Sequence, residues 1–330
     1  FSKVYIVFMK ILILQSRMGI GDMVIFLPFI EAIAKKFNTK VSILVKENSK
    51  AKEIIVNNEY IDNVLYLRRS NKSNKERHDG IIGSFNLAND LRKLEFDKVF
   101  IFNSSLRYNL IARFCGIKEI YQYPLFKKKN QHIIKAAQTF LKKTLDLDVE
   151  SDPQISVGES DISNAKKKFK INNQTLNILL GTGGSGPNKR ISPRIYRKFI
   201  DLCNIKYNCR FFIATGKNQE EQKILNEIIM GNEKNFTRLD DFSIRKTLPI
   251  IKNCVLSICN DTSFSHLSAA MGIETIILFA DTATLYGNYS PRMHPIAPDN
   301  NLYTNENLLP KDKINPQTIF NKFENILTNL

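Results

Sequence analysis

Apolar and polar positions alternate along this chain in blocks of two kinds. Short runs rich in Ile, Val, Leu and Phe, such as K-I-L-I-L-Q, K-V-S-I-L-V, N-V-L-Y-L and D-K-V-F-I-F-N, read as strands. Runs that are apolar at successive positions belong to strands buried on both faces, as in a parallel sheet. The stretches between them carry apolar residues at helical spacing, which predicts helices over about 24–37, 82–94 and 106–115. The polar segment 68–80 reads as a loop, and 124–143 as an amphipathic helix carrying Lys127, Lys128, Lys129, Lys135, Lys142 and Lys143.

The second half repeats the alternation. L-N-I-L-L-G leads into the loop T-G-G-S-G-P-N-K-R and a helix over 193–203; C-R-F-F-I-A-T-G leads into a helix over 220–230. F-T-R-L and a helix over 243–252 precede V-L-S-I-C, the turn and helix D-T-S-F-S-H-L-S-A-A-M-G, and T-I-I-L-F. N-P-Q-T-I-F-N-K-F-E-N-I-L reads as a capped amphipathic helix. A shift in composition over 146–172 marks a linker, giving domains of 1–160 and 161–330. The predicted fold is α/β: two doubly wound, Rossmann-like sheets with a cleft between them.

Composition changes this picture little. With 330 residues, 43% hydrophobic and 24% charged, the chain is long enough for two globular cores and is not of the disordered class. No apolar run reaches the ~18 residues that would span a bilayer. Residues 1–8 lack the small-residue cleavage site of a signal peptide and read as preceding a natural start at Met9, which opens a strand directly. Five scattered cysteines without a C-x-x-C pair read as reduced, mostly buried thiols of a cytosolic protein. His78, His132, His266 and His294 show no metal-ligand spacing, so no metal site is expected.

Charge is more informative. Residues 1–150 hold 26 Lys+Arg against 15 Asp+Glu, a net of +11, whereas 151–330 hold 22 against 17, a net of +5. The first half therefore suits an anionic partner, although a Lys-, Asn- and Ile-rich composition of the source would give the same excess.

The candidate chemistry lies in three turns. In D-T-S-F-S-H, Asp261 can cap the helix, while Thr262 and Ser263 offer hydroxyls and backbone N–H groups at its positive end, a ready site for phosphate. Thr262 and His266 are one helical turn apart, which sets an imidazole beside that anion; a His266 merely packed in the core is the plainer alternative. The loop 181–190 supplies Thr182, Ser185, Lys189 and Arg190 among Gly183, Gly184 and Gly186; it lacks the G-K-[ST] ending of a P-loop. Its glycines would let backbone N–H groups close on an anion that the cations neutralise. The turn G-I-G-D lacks the third glycine and the later acid of a dinucleotide fingerprint, which argues against a nicotinamide enzyme. It leaves Asp22 at a helix start, as a catalytic carboxylate or simply as a cap.

These pieces resemble glycosyltransferase family 9, the bacterial heptosyltransferases of lipopolysaccharide core assembly. The matching stretches are K-I-L-I-L-Q-S-R-M-G-I-G-D-M-V-I-F-L-P-F-I, F-D-K-V-F-I-F-N-S-S-L-R-Y-N-L-I-A-R-F-C-G, G-S-G-P-N-K-R-I-S-P-R-I-Y and N-D-T-S-F-S-H-L-S-A-A-M-G-I-E-T-I-I-L-F. The resemblance implies a GT-B fold: acceptor domain first, nucleotide-sugar domain second, and a final helix crossing back. It implies Asp22 as general base, with Ser185, Lys189, Asp261, Thr262, Ser263 and His266 on the donor diphosphate and Glu220 on the nucleoside. Ser263 replaces a family glycine, and F-A-D-T with Ala280 and Asp281 replaces F-G-P-T; Asp281 is expected to face the donor sugar, or else to cap a surface turn with Thr282 and Thr284.

The expected activity is thus an inverting, metal-independent transfer from a nucleoside-diphosphate sugar, ADP-heptose by family default, with no cofactor. The acceptor is expected to be an anionic glycolipid or glycan of the lipopolysaccharide core. The expected location is the cytoplasm, in peripheral contact with the inner membrane, on a surface for which the 124–143 helix is the candidate. Two rivals are a sugar-nucleotide epimerase of the same fold and a non-catalytic binder of anionic glycolipid. Nucleic acid is disfavoured, because no stacking aromatics accompany the basic residues.

Overall fold

The computed structural model describes residues 9–17, 19–70, 76–125, 132–172, 174–184, 186–279, 288–298 and 313–330. The chain forms two compact units, Phe1–Ser151 and Asp152–Leu330. The division falls inside the expected linker. Residues 152–160 go with the second unit because Asp152 accepts from Ser290 Oγ at 2.6 Å, and Ile155 N–H donates to the Ala270 carbonyl at 2.8 Å.

In the first unit the elements are β1 (Ile11–Leu14), α1 (Ile20–Phe37), β2 (Val41–Val45), α2 (Ala51–Ile54), β3 (Ile61–Tyr66), α3 (Gly80–Arg92), β4 (Lys98–Ile101), α4 (Leu106–Phe114), β5 (Glu119–Gln122) and α5 (Ile133–Leu145). Their strands pair in parallel in the order β3-β2-β1-β4-β5. Strands β1 and β2 are buried at every position, which is why they read as unbroken apolar runs rather than alternating ones. The short, partly exposed E-I-Y-Q of β5 gives no such run, and the sequence did not show it. On α5, Lys142 is tied to Asp146 at 2.9 Å and Asp148 at 2.8 Å, so part of the expected cationic face is neutralised within the helix end. Lys127, Lys128 and Lys129 lie outside the described residues.

The second unit runs α6 (Glu159–Lys168), β6 (Leu176–Gly181), α7 (Pro193–Lys206), β7 (Cys209–Ala214), α8 (Gln219–Ile229), β8 (Phe236–Arg238), α9 (Ile244–Ile251), β9 (Leu256–Asn260), α10 (Ser263–Ala270), β10 (Thr275–Leu278), β11 (Met293–Ile296) and α11 (Pro316–Thr328). Its parallel sheet has the order β11-β10-β9-β6-β7-β8. Asn315 caps α11 as expected, its side chain accepting from Gln317 N–H at 2.9 Å. The last helix, α11, buries Ile319, Phe320, Phe323 and Ile326 in the core of the second unit, with Phe323 edge-on to Phe199 of α7.

Both sheets share one topological property. The chain builds outward from the first strand, then returns to its other side, between β1 and β4 in the first unit and between β6 and β9 in the second. Adjacent loops there leave in opposite directions, which opens a crevice at the carboxyl ends of the strands. All five cysteines are free thiols and four are buried. Among the described residues no helix is long and apolar enough to cross a membrane.

Candidate functional site

In the second unit the crevice at β6 and β9 is pinned from below by Asn260. Its amide donates to the Thr182 and Gly183 carbonyls at 2.8 and 3.0 Å and accepts from the buried Tyr196 hydroxyl at 2.7 Å. This fixes the loop after β6 against the turn after β9. Beside it, Asp261 has a nearly inaccessible carboxylate that accepts from Lys189 Nζ at 2.5 Å and lies 3.8 Å from His266 Nε2.

That geometry corrects one expectation. Asp261 does not cap α10; Thr262 holds the cap position, without a side-chain cap bond. The Asp261 carboxylate instead stands between an ammonium and an imidazole, positioned to orient both.

His266 is buried but not merely packed. Its ring stacks on Tyr289 with centroids 5.6 Å apart, and its Nδ1 meets the Tyr289 hydroxyl at 2.7 Å. Burial, with Asp261 and Asp152 nearby, holds the Tyr289 phenol well above its ordinary pKa, so the hydroxyl keeps its proton. A phenol donating to Nδ1 leaves the ring hydrogen on Nε2, the nitrogen on the Asp261 side.

Three threonines complete this end of the sheet. Thr182, Thr215 and Thr262 follow β6, β7 and β9, and the Oγ1 of each is buried without a hydrogen-bond partner among the described residues. An unpaired buried hydroxyl costs about 1–3 kcal/mol, and such groups mark where ligand oxygens can bind. The α10 start adds backbone N–H groups that the helix leaves unbonded.

The glycine-rich loop closes on a carboxylate of the protein itself. Glu221 is buried and accepts from Gly184 N–H at 2.8 Å; a Cβ on Gly183 would come within 2.6 Å of its Oε1, and one on Gly216 would also collide with it. Glu220, expected at the nucleoside, instead points outward, 73% exposed, and pairs with Arg190. The cap decides between the two: Asn218 accepts from Glu221 N–H at 3.0 Å, which fixes position 221 on the inner side of α8. Adjacent glutamates made that choice unreadable from sequence.

In the first unit α1 begins earlier than the pattern suggested, so Gly21 and Asp22 lie inside its first turn. Asp22 Oδ2 accepts from Gly19 N–H at 3.0 Å, and Oδ1 lies 3.8 Å from Arg17, with the side chain 20% exposed. Asp22 is therefore a cap residue, and one oxygen remains turned toward a cation. Gln15 at the end of β1 is buried with neither side-chain amide atom bonded among the described residues.

Cations that the sequence reading passed over gather at this same end. Lys46 follows β2, Arg69 follows β3 and Arg107 opens α4 after β4. Burial and Arg69 lower the pKa of both Lys46 and Arg107. Arg69 Nε lies 3.6 Å from Asp79, Arg107 donates through Nη2 to the His78 carbonyl, and neither Nε is hydrogen-bonded among the described residues. Their signal was available: each is the first or second cation after an apolar run. Ser185, Ala280, Asp281, Thr282 and Thr284 lie outside the described residues.

Two parallel sheets wound outward from a central switch point, one with an ammonium, an imidazole and a helix start at its crevice, place the fold in the GT-B class. The chain belongs to glycosyltransferase family 9 (heptosyltransferase), whose pattern it matches over residues 85–313. Its fold is similar to that of a glycosyl transferase family 9 protein from Veillonella parvula, at a TM-score of 0.79 and 16% identity over 98% of each chain. It is also similar to the E. coli ADP-heptose lps heptosyltransferase II, with a TM-score of 0.74 and 16% identity over 97% of this chain and 99% of that one. For E. coli heptosyltransferase WaaC with ADP the TM-score is 0.70, at 16% identity over 96% and 100%. No curated protein sequence matches the chain.

Proposed function

We propose that this enzyme transfers a sugar from a nucleoside diphosphate to an anionic glycan or glycolipid acceptor, with inversion at the anomeric carbon. The observation that carries the reading is the array on Asp261, which gathers Lys189 and His266 at the end of the sheet where three threonine hydroxyls are unpaired among the described residues. The ADP-bound relative supports an adenosine diphosphate donor, and the family supports heptose as the sugar.

As the bond from the anomeric carbon to the diphosphate breaks, negative charge grows on the leaving oxygen. Lys189, the α10 start and Nε2–H of His266 are fixed donors for that charge, so stabilising it requires little reorganisation. The ammonium and the helix start supply positive charge without a metal ion. Asp22 takes the proton of the attacking acceptor hydroxyl. A single displacement by that oxygen inverts the anomeric configuration. Arg69, Arg107 and Lys46 support the choice of an anionic acceptor, because three cations at one end of the sheet outnumber the single carboxylate, Asp79, that pairs with Arg69 there, and a carboxylate or phosphate would offset the excess.

The test is transferase turnover with ADP-heptose in the presence of a chelator, for the parent and for Asp22→Asn. General-base catalysis is worth about 10²–10⁴ in rate, so turnover should fall by that factor while ADP affinity stays. Full activity in the variant would leave Asp22 as a cap alone. Loss of parental activity with the chelator would reject the metal-independent scheme.

A further inference from the structure

The first unit exposes more large apolar side chains on one face than a folded surface ordinarily tolerates. On α3, Ile81 is 80%, Ile82 76% and Phe85 56% exposed; on α4, Leu110 is 43% and Phe114 51% exposed. Ile81 and Phe85 are one helical turn apart, as are Leu110 and Phe114, and the Phe85 and Phe114 rings meet at 5.7 Å. The side chains thus form one continuous patch across two packed helices. Contiguous exposed apolar surface of this kind marks an interaction site.

Charge identifies the occupant. Arg92 and Lys93 at the end of α3 and Arg113 on α4 are exposed around the patch, and Arg92 bonds the Phe114 carbonyl, which draws the cationic rim against the apolar centre. Between them α3 and α4 carry one acid, Asp90, held in a bidentate pair by Arg77 at 2.9 and 2.7 Å. An apolar centre with a mainly cationic rim, on which the exposed Glu95 beyond Lys93 is outnumbered by Arg92, Lys93 and Arg113, complements acyl chains beneath anionic headgroups. The patch sits on the half of the chain whose net charge is +11.

We propose that the α3–α4 face docks on an anionic lipid bilayer, seating Ile81, Ile82, Phe85, Leu110 and Phe114 among the acyl chains and Arg92, Lys93 and Arg113 at the headgroups. The face differs from the lysine helix that the sequence suggested, and the inference does not depend on the transferase reading.

The chain contains no tryptophan, so Phe85→Trp and Phe114→Trp each install a sole reporter. With vesicles of phosphatidylethanolamine and phosphatidylglycerol in equal parts, both should shift emission to the blue and be quenched by brominated lipid. Ile205→Trp on α7, at a side chain 83% exposed, should do neither. In co-sedimentation, Phe85→Ser or Phe114→Ser should lower partitioning about tenfold, and Arg92→Gln or Arg113→Gln about fivefold at low salt. All five positions are exposed, and unchanged thermal melting and ADP binding would show that each variant is folded. Equal shifts at Ile205→Trp, or partitioning indifferent to the serine variants, would overturn the proposal. So would a parental dimer in sedimentation equilibrium that the serine variants dissolve, which would assign the face to a second copy of the chain.

Discussion

The pairing of Lys189 with Asp261 makes an asymmetric prediction. The two side chains are 2.5 Å apart, yet Lys189 is 23% exposed and Asp261 only 3%. Removing the lysine, as in Lys189→Met, strands a buried carboxylate whose next polar neighbour is the His266 imidazole 3.8 Å away. Breaking a buried pair in this sense costs about 3–5 kcal/mol, and the partial exposure of Lys189 with the nearby His266 sets the expected loss near the lower bound, about 3 kcal/mol. Asp261→Asn leaves an ammonium that can turn toward water and keeps an acceptor oxygen in place, so about 1 kcal/mol is expected. The double variant should be more stable than Lys189→Met alone, because no buried charge is left. Native-state hydrogen exchange at the β6 and β9 amides reads all three in the full chain. ADP affinity should separate them differently: Lys189→Met loses a charge-assisted contact worth about 1.5–3 kcal/mol, a ten- to hundredfold weakening, whereas Asp261→Asn leaves the ammonium available and changes affinity less than about fivefold. Equal destabilisation by the two single variants, or an ADP loss larger for Asp261→Asn, would refute the assignment of Asp261 as the orienting group.

Tyr289→Phe removes the donor to His266 Nδ1 while keeping the ring stack, so histidine nitrogen shifts in NMR should move from one Nε2–H tautomer to a mixture; an unchanged tautomer would show that the hydroxyl does not set it. For His78 the sign is opposite to that of a paired histidine: burial pushes its pKa below the ordinary 6.5 despite Asp90 beside it, so the unfolded chain binds the extra proton. Stability of the first unit should therefore fall as pH drops below about 6.5, and His78→Gln should flatten that slope in urea titrations between pH 7.5 and 5.5. A wild-type slope that survives the substitution would place its origin in another group.

The sequence by itself determined the alternation of strand and helix, the division into two parallel α/β units and the family, because each depends on local pattern. Buried strands such as I-L-I-L and V-S-I-L-V are near-continuous apolar runs, and the N-D-T-S-F-S-H turn carries its hydroxyls and imidazole within about one helical turn. Lys189 and His266 were legible for the same reason. What the tertiary structure decided is which groups face one another. Asp261 and Lys189 are far apart in the chain and meet because β6 and β9 are neighbours at the switch point. Glu221 rather than Glu220 turns inward because Asn218 fixes the first turn of α8, and the glycines of two separate loops clear space for its carboxylate. The same holds for Tyr289 on His266, for the cations Lys46, Arg69 and Arg107, and for the Phe85–Phe114 patch. Each is a pairing between elements remote in sequence, and residue type and spacing carry no record of a partner that only the sheet order and helix packing supply.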